Sequence, residues 1–349
     1  MATQAGLIIE GVNQPQKVVD NIPRPSPEGR QVLVKCLAVG LNTIEALQHH
    51  TGMMVNEWPA ILGSDGAGVV IEVGPGVTRL KVGDYVYGCA PVGQNRFTPF
   101  QDAYLAREDL LFKRGSNISL EDSCTIGTCL LTSSLCLLGG AGLELPDDGN
   151  KAQEKDEWIV ILGGSGNVGQ FAIQLSKVCG YKVLASCSPS KQSLAIRNGA
   201  AATFDSRETI DAQVAEIKKI TDGNFGKIMD ASTYGYKVMV KALETASKAK
   251  EKYLTSVDSW SPFSTPSSIN EYRADLGHLC RPNERDGAQI TSNIVSWIPF
   301  LEKHIAAGTL KPLEHHDVDG VGWEKVIQGI QDMEGGKIGK KIVVRTQEE

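Results

Sequence analysis

The pattern of apolar and polar positions changes character near residue 157. Before it, QVLVKCLAVGLN (31–42) alternates apolar and polar positions, GAGVVIEVG (66–74) does so again, and DYVYGCA (84–90) follows. Period-two alternation predicts half-buried strands. Pro and Gly punctuate the runs: PRPSPEG (23–29), GPG (74–76) and KVGD (81–84). The first third therefore reads as an irregular, mostly antiparallel β domain. LEDSCTIGTCLLTSSLCLLGGAGL (120–143) reads as an apolar helical stretch ended by Gly139-Gly140, and LPDDGNKAQEKDE (145–157) as a solvated loop.

After residue 157 continuous apolar runs alternate with amphipathic ones. The strand-like segments are EWIVILGG (157–164), YKVLASCS (181–188), AATFD (201–205), GKIMDAS (226–232) and KYLTSV (252–257). Helical spacing fills the intervals at 168–180, 190–199, 211–223 and 236–246. Fully apolar strands alternating with helices predict a parallel sheet covered on both faces. A helix over 292–310 and a returning strand, KKIVVR (340–345), complete the prediction, the strand rejoining the first domain. Phe225 and Trp297 read as core.

Length and composition fit this division. A chain of 349 residues exceeds one ordinary core, and 41% hydrophobic with 22% charged residues is a globular composition. A net charge of −6 and a pI near 5.6 argue against nucleic-acid and anionic-membrane surfaces. No uninterrupted apolar run reaches about 18 residues. Met1–Gly11 lacks the features of a signal peptide, so a cytoplasmic protein is expected, and Asn117-Ile118-Ser119 is a chance glycosylation pattern. Eight scattered cysteines without a CxxC pair read as reduced thiols.

The strongest motif is Gly163-Gly164-Ser165-Gly166-Asn167-Val168-Gly169, directly after a strand and opening a helix. That context is what the dinucleotide fingerprint requires: two glycines let backbone approach pyrophosphate, and the third lets helix pack on strand. The helix N-terminus adds free N–H groups and partial positive charge. Gly164, Ser165, Gly166, Asn167 and Val168 are thus cofactor candidates. At the end of the second strand an acid would hold the ribose 2′-hydroxyl of NADH. This chain has Ser188-Pro189-Ser190-Lys191 there, two hydroxyls and an ammonium suited to a 2′-phosphate, and NADPH is favoured. The alternative is that Ser188 and Ser190 cap the next helix and Lys191 is solvated.

"GSDGAGVVIEVGPGVTRLKVGDYVYG", "GGSGNVGQFAIQLSK" and a terminal "GKKIVV", in that order, resemble the medium-chain dehydrogenase/reductase superfamily over nearly the whole chain. The resemblance implies an α/β fold: a GroES-like catalytic domain over 1–124 and 309–349, and a Rossmann NADPH-binding domain over 125–308. Zinc alcohol dehydrogenases of the superfamily place a Cys after the first long strand and Gly-His-Glu where this chain reads Gly63-Ser64-Asp65. Here Gly40–Glu45 contains no Cys, and the four-cysteine structural loop is reduced to Cys89. About three protein ligands are needed for a catalytic zinc, so no metal is expected. Asp65 is assigned a structural role, accepting backbone N–H bonds in its turn, over proton delivery.

The zinc-free branches are quinone oxidoreductases and enoyl reductases. Asn42 with Glu45 resembles their Asn-x-x-Asp near the nicotinamide. Thr132 resembles the Thr beside the carboxamide and phosphates, and Lys341 matches the Lys of their terminal G-K-x-V, which makes it a cofactor-binding candidate. Ser186–Pro189 and the polar insertion at 145–157 resemble the trans-acting enoyl reductases of fungal polyketide synthases, which implies a monomer, a homodimer being the alternative. The substrate so implied is a small-molecule or carrier-bound acyl thioester, with a synthase carrier domain as possible partner. The rival readings are a quinone or small-enone reductase, a redox-neutral isomerase, and a non-catalytic dinucleotide-binding protein.

Each catalytic candidate has a plainer alternative. Asn42 orients substrate or nicotinamide, or caps a turn. Glu45 is a proton source, or a buried acid bonded to backbone. Trp260, Phe263 and Tyr272, past the last strand, line an acyl pocket or simply pack. His49 and His50 are adjacent on a helix and should point apart, so no shared site is expected of them. His315-His316 read as a solvated loop.

Overall fold

The computed structural model describes residues 2–146, 149–336 and 338–349. Positions 147 and 148 of the polar insertion lie outside the described residues. The chain forms two compact units: Met1–Thr128 with Gly277–Glu302 and Pro312–Glu349, and Cys129–Leu276 with Lys303–Lys311.

The first unit is the β unit. Its larger sheet runs, in order, His315–Val321, Lys341–Arg345, Gln31–Gly40, Asp65–Val73, Tyr85–Cys89 and Phe112–Lys113, with Ala103–Arg107 paired on Gln31–Gly40. Thr3–Ile9 forms a smaller sheet with Lys17–Pro23 and Ala60–Ile61. The expected C-terminal strand does return, Val343 pairing antiparallel with Gly40. Val34, Val39, Val70, Phe100, Trp323 and Ile342 close a common core. The pairing of Gln31–Gly40 with Asp65–Val73 is tight: a Cβ on Gly68 would lie 1.8 Å from the Lys35 carbonyl oxygen. Gly277–Glu302 is fastened to this unit by Arg281, whose guanidinium donates to Asn56 Oδ1 (2.7 Å) and to the carbonyls of Met54 (2.8 Å) and Val92 (2.9 Å).

His315–Val321 corrects the loop expected there: it is a strand, parallel to Lys341–Arg345. Its sequence, HHDVDGV, buries Val318 alone, and a polar edge strand gives no alternation to read.

The second unit holds a six-stranded parallel sheet ordered Ala202–Asp205, Lys182–Cys187, Trp158–Leu162, Phe225–Asp230, Tyr253–Ser256, Asn270–Arg273. This is the doubly wound order of dinucleotide-binding folds. Val160, Leu162, Leu184, Ile228 and Leu254 form the core beneath helices Ile210–Thr221 and Tyr236–Thr245. The sixth strand is a second correction: Tyr272 lies in it rather than in a long loop. NEYR is short, polar and at the sheet edge, with no residue fully buried.

The apolar stretch after residue 120 is broken into Leu120–Ser123, Gly127–Ser134 and a π-helical turn at Leu135–Gly140. Leu120–Gly140 is long and apolar enough to cross a membrane by length and composition, but 78% of its most apolar window is buried inside the protein. None of the eight cysteines, all among the described residues, forms a disulfide, and seven are buried.

Replacing Gly68 by Ala should strongly destabilise the β unit, because the Lys35 carbonyl is backbone and cannot move aside. The expected loss is about 3 kcal/mol or more, within the range of overpacked cores. Chemical denaturation checks it; a midpoint unchanged from wild type would refute the packing argument.

Candidate cofactor loop and buried polar cluster

The phosphate loop follows strand Trp158–Leu162. Gly163 takes a φ of +74°, turning the chain so that Gly166 precedes helix Asn167–Val178. A Cβ on Gly169 would lie 2.1 Å from the Gly163 carbonyl oxygen, and one on Gly164 2.8 Å from Ala185 Cβ. The loop is fastened to strand Lys182–Cys187: Gly163 N–H donates to Ser186 Oγ (3.0 Å) and Gly164 N–H to the Ser186 carbonyl (2.8 Å). Gly166 is exposed at the crest, where a Cβ would meet nothing nearer than 3.4 Å. The first-turn N–H groups of Asn167 and Val168 have no intrahelical partner. An open crest with free N–H groups over a rigid base fits a pyrophosphate.

Beyond the second strand, Ser188 Oγ and Ser190 Oγ stand 3.3 Å apart, beside exposed Lys191. Ser188 makes no side-chain cap to the turn Pro189–Lys191, and helix Gln192–Asn198 takes none from its N-cap, Lys191. Asp230 escaped the sequence reading. Buried at the end of Phe225–Asp230, it accepts from Ser232 N–H (2.8 Å) and Oγ (2.6 Å) and from Gly235 N–H (2.8 Å). It thereby shapes the turn against which Gly163 packs. An acid ending a strand just before a Ser and a Gly was the available signal.

Thr132 is half-buried in helix Gly127–Ser134, and the neighbouring Ser133 Oγ donates to the Val168 carbonyl (2.8 Å). The aromatic candidates have different neighbours. Phe263 stacks on Tyr236 at 3.9 Å beneath the Arg273 guanidinium; Tyr272 packs on Gly140; Trp260 is 58% exposed.

In the β unit, the sheet register puts Gly40 opposite Asp65. Asn42, just past one strand, thus meets Asp65, at the start of the other. Asn42 Nδ2 donates to Asp65 Oδ2 (2.9 Å) and Ser64 Oγ (2.8 Å). Lys341 Nζ donates to Asp65 Oδ2 (2.8 Å) and to Asn42 Oδ1. The other Asp65 oxygen accepts from Thr128 N–H (2.6 Å) and Oγ1 (2.9 Å). Glu45, third residue of helix Thr43–Thr51, accepts from Asn42 N–H (2.6 Å) and Ser64 Oγ (2.6 Å). Asp65 does accept a backbone N–H, but from a residue 63 positions away rather than from its own turn.

Three sequence candidates, Asn42, Glu45 and Lys341, are therefore gathered around Asp65. Lys341, Asp65 and Glu45 are each at most 1% exposed. Two carboxylates share one ammonium in a dry site, where an unpaired charge is costly. Burial pushes the Glu45 carboxyl up to about 7, against the Ser64 hydroxyl, the Lys341 charge and the Asn42 amide, with Asp65 adding a smaller upward push. A protonated Glu45 leaves Asp65 and Lys341 as a balanced pair.

His49 and His50 correct a third expectation, since their rings stack at 4.8 Å instead of pointing apart. Adjacent residues of one turn draw them together: His49 Nε2 bonds the Gln14 carbonyl (2.8 Å) and His50 Nδ1 bonds Asn13 Oδ1 (2.7 Å). With Glu334, 2.9 Å from His50 Nε2, they are the one group of three potential metal ligands among the described residues, and it is largely exposed.

The β unit also contains a cavity of about 420 Å³, walled by Cys89–Pro91, Leu105, Leu110, Leu111 and residues of 280–291. A sealed packing defect of that size would cost roughly 10 kcal/mol at the usual cost per unit of cavity volume, comparable to a domain's whole stability. Its volume instead falls within the range of ligand pockets, roughly 300–1,000 Å³.

Comparison with known proteins follows the same lines. The alcohol dehydrogenase GroES-like domain matches residues 28–106. The chain is 28% identical to the trans-enoyl reductase RAP2 of Pyricularia oryzae, covering 94% of each chain. It is 32% identical to the trans-enoyl reductase fsa3 of a Fusarium species, over 91% of this chain and 92% of the relative. Among solved structures, an alcohol dehydrogenase superfamily protein from Novosphingobium aromaticivorans aligns with a TM-score of 0.79 at 20% identity, covering 99% of this chain and 100% of that one. A mycobacterial protein complexed with NADPH aligns with a TM-score of 0.70 at 19% identity, covering 98% and 99%. At these identities the structural likeness shows the fold.

The cluster makes two predictions. Lys341→Met should cost about 3–5 kcal/mol by stranding Asp65, and Lys341→Met with Asp65→Asn should cost clearly less than the two single changes summed. Additive losses in a denaturation cycle would refute the pairing. For Glu45, the folded pKa of about 7 exceeds its ordinary 4.5, so its stabilising contribution is complete below pH 4.5 and is lost as pH rises through 7. Relative to Glu45→Gln, the wild type should therefore lose roughly 3 kcal/mol between pH 4.5 and pH 7.5. Parallel pH–stability curves for the two proteins would contradict a raised Glu45.

Proposed function

Because this chain belongs to the medium-chain dehydrogenase/reductase superfamily, in its quinone oxidoreductase and enoyl reductase branch, we propose that it is an NADPH-dependent enoyl reductase. It reduces the α,β double bond of an acyl thioester, free or carrier-bound, without a catalytic zinc. The observation that carries the reading is the commitment of Asp65. Its two oxygens are taken by Lys341, Asn42 and Thr128, with an ammonium 2.8 Å away where a metal would have to bind. Carbonyl reduction with no Lewis acid is hard, whereas conjugate addition needs only that charge developing on the thioester oxygen be met by hydrogen-bond donors.

When bound, the reduced nicotinamide dinucleotide supplies the hydride, which adds to the substrate β-carbon. The chain's own residues bind and orient. Backbone N–H groups of Ser165, Asn167 and Val168 would hold the pyrophosphate, while the Gly166 N–H stays on the Gly163 carbonyl (3.0 Å) and its lack of a side chain leaves the anion room. Ser188, Ser190 and Lys191 take the 2′-phosphate, a role supported by their freedom from capping the next helix. Thr132 orients the carboxamide. Asn42 and Glu45 act as positioning residues, because their polar atoms are turned to Asp65, Ser64 and each other. Lys341 serves as the counterion of Asp65. Solvent protonates the α-carbon. The names of the relatives support an enoyl substrate; the same reading takes the acyl chain from polyketide assembly, a synthase carrier domain as its donor, and the protein as a cytoplasmic monomer.

Purified protein should oxidise NADPH with an enoyl thioester and release the saturated thioester. No oxidation with any enoyl thioester, free or carrier-linked, would sink the proposal. Lys191→Glu should shrink the preference for NADPH over NADH about ten- to a hundredfold, the worth of a charge-assisted hydrogen bond; an unchanged preference would remove Lys191 from the site.

A further inference from the structure

We propose that the cavity of the β unit lodges the apolar chain of the acyl substrate, and that its outer wall limits the chain length accepted. The inference rests on the enoyl reductase reading above.

Cys89 is part of the cavity's lining. The Cys89 sulfur accepts from Thr128 Oγ1 at 3.4 Å, the same hydroxyl that bonds Asp65. The cavity therefore lies beside the buried polar cluster. From there Ala90, Pro91, Leu105, Leu110 and Leu111 give an apolar lining. The polar lining residues are Gln31, Gln94, Tyr104, Arg107 and Thr291, of which Gln31 and Arg107 also line the adjoining groove formed with Glu28–Arg30 and Asp109.

Arg107 is the one charged residue of the lining, and it is spent. Its Nε and Nη2 donate to Asp109 Oδ1 (3.0 Å) and Oδ2 (2.8 Å), a bidentate pair. An anionic tail would find no uncompensated cation, and a cationic tail no carboxylate within the lining. The occupant is then an uncharged hydrocarbon chain. Each methylene it buries should tighten binding by about fourfold.

The outer wall comes from a different stretch of sequence. Cys280, Pro282, Ala288 and Thr291 close the cavity from the segment that Arg281 anchors to Met54, Asn56 and Val92. Cys280 N–H bonds Thr291 Oγ1 at 2.9 Å, so the wall is internally braced. Ala288 is exposed and small, which leaves room that a larger side chain would fill. The aromatic candidates Trp260, Phe263 and Tyr272 belong to the other unit and take no part in this lining.

The test measures binding and turnover separately, on the full chain with NADPH present. Butanoyl- and decanoyl-pantetheine are titrated by calorimetry into wild type, Ala288→Phe and Gln94→Phe, the last replacing a second lining residue that is only half-buried. Wild type should bind the decanoyl thioester at least a hundredfold more tightly than the butanoyl one. Each variant should cut that ratio at least tenfold, and the ratio of kcat/KM for the matching enoyl thioesters should fall with it. If Ala288→Phe does not fold, Gln94→Phe decides. Affinity independent of chain length in wild type, or a ratio unmoved in a folded variant, would overturn the pocket. A chain-length ratio that behaves as expected while no enoyl thioester is reduced would leave the pocket standing and remove the enoyl reductase reading.

Discussion

A single ammonium lets the Asp65 carboxylate occupy the interior of the β unit. Lys341 meets Asp65 at 2.8 Å with both side chains essentially inaccessible. An ion pair so buried adds little net stability over an apolar substitute, but losing one partner exposes the full cost of the other. The geometry of the unit follows from that constraint. Asp65 must lie opposite the last residues of Gln31–Gly40, the strand Lys341–Arg345 must pair beside it, and Thr128 must present its N–H to the remaining oxygen. Glu45 joins only because it can remain protonated near neutrality.

The two candidate sites are built from opposite materials. The cofactor loop is almost pure backbone, its shape set by what glycines permit and by Ser186 underneath. What it offers a ligand are N–H groups, which cannot be titrated. The β unit's cluster is built chiefly of side chains that bond one another, joined by the N–H groups of Asn42 and Thr128. One site is preorganised to receive a ligand; the other is preorganised to be left alone, and it shapes what lies around it. That contrast is why conjugate reduction suits the molecule: the chemistry asks for orientation more than for a titrating acid.

The parallel sheet was legible because five of its strands are apolar runs flanked by helical spacing, and the glycine loop because each glycine has a steric reason to be there. Asn270–Arg273 and His315–Val321 were not, since polar edge strands carry no periodic signal. The residues of the cluster could be singled out by family resemblance, but their gathering could not. Asn42, Asp65 and Lys341 are joined by a strand register and a return of the chain across 276 positions, which no local pattern records. Resemblance made Lys341 a cofactor candidate; the structure shows its ammonium on Asp65. The stacking of His49 and His50 was missed for a related reason, because hydrogen bonds to a neighbouring turn outweigh the angular spacing of a helix.

The position of Lys341 also bears on the order in which the molecule can be made. On the ribosome, the strands that enclose Asp65 emerge early, while the cation that balances it emerges some 276 residues later. At typical elongation rates of about 5–20 residues per second, that interval lasts from roughly 14 s to nearly a minute. Throughout it the β unit lacks both a strand and a counter-charge, whereas the parallel sheet is complete once residue 273 has emerged. The nucleotide-binding unit can therefore assemble first, while the β unit waits, with its acid still in water, for the last strand to arrive.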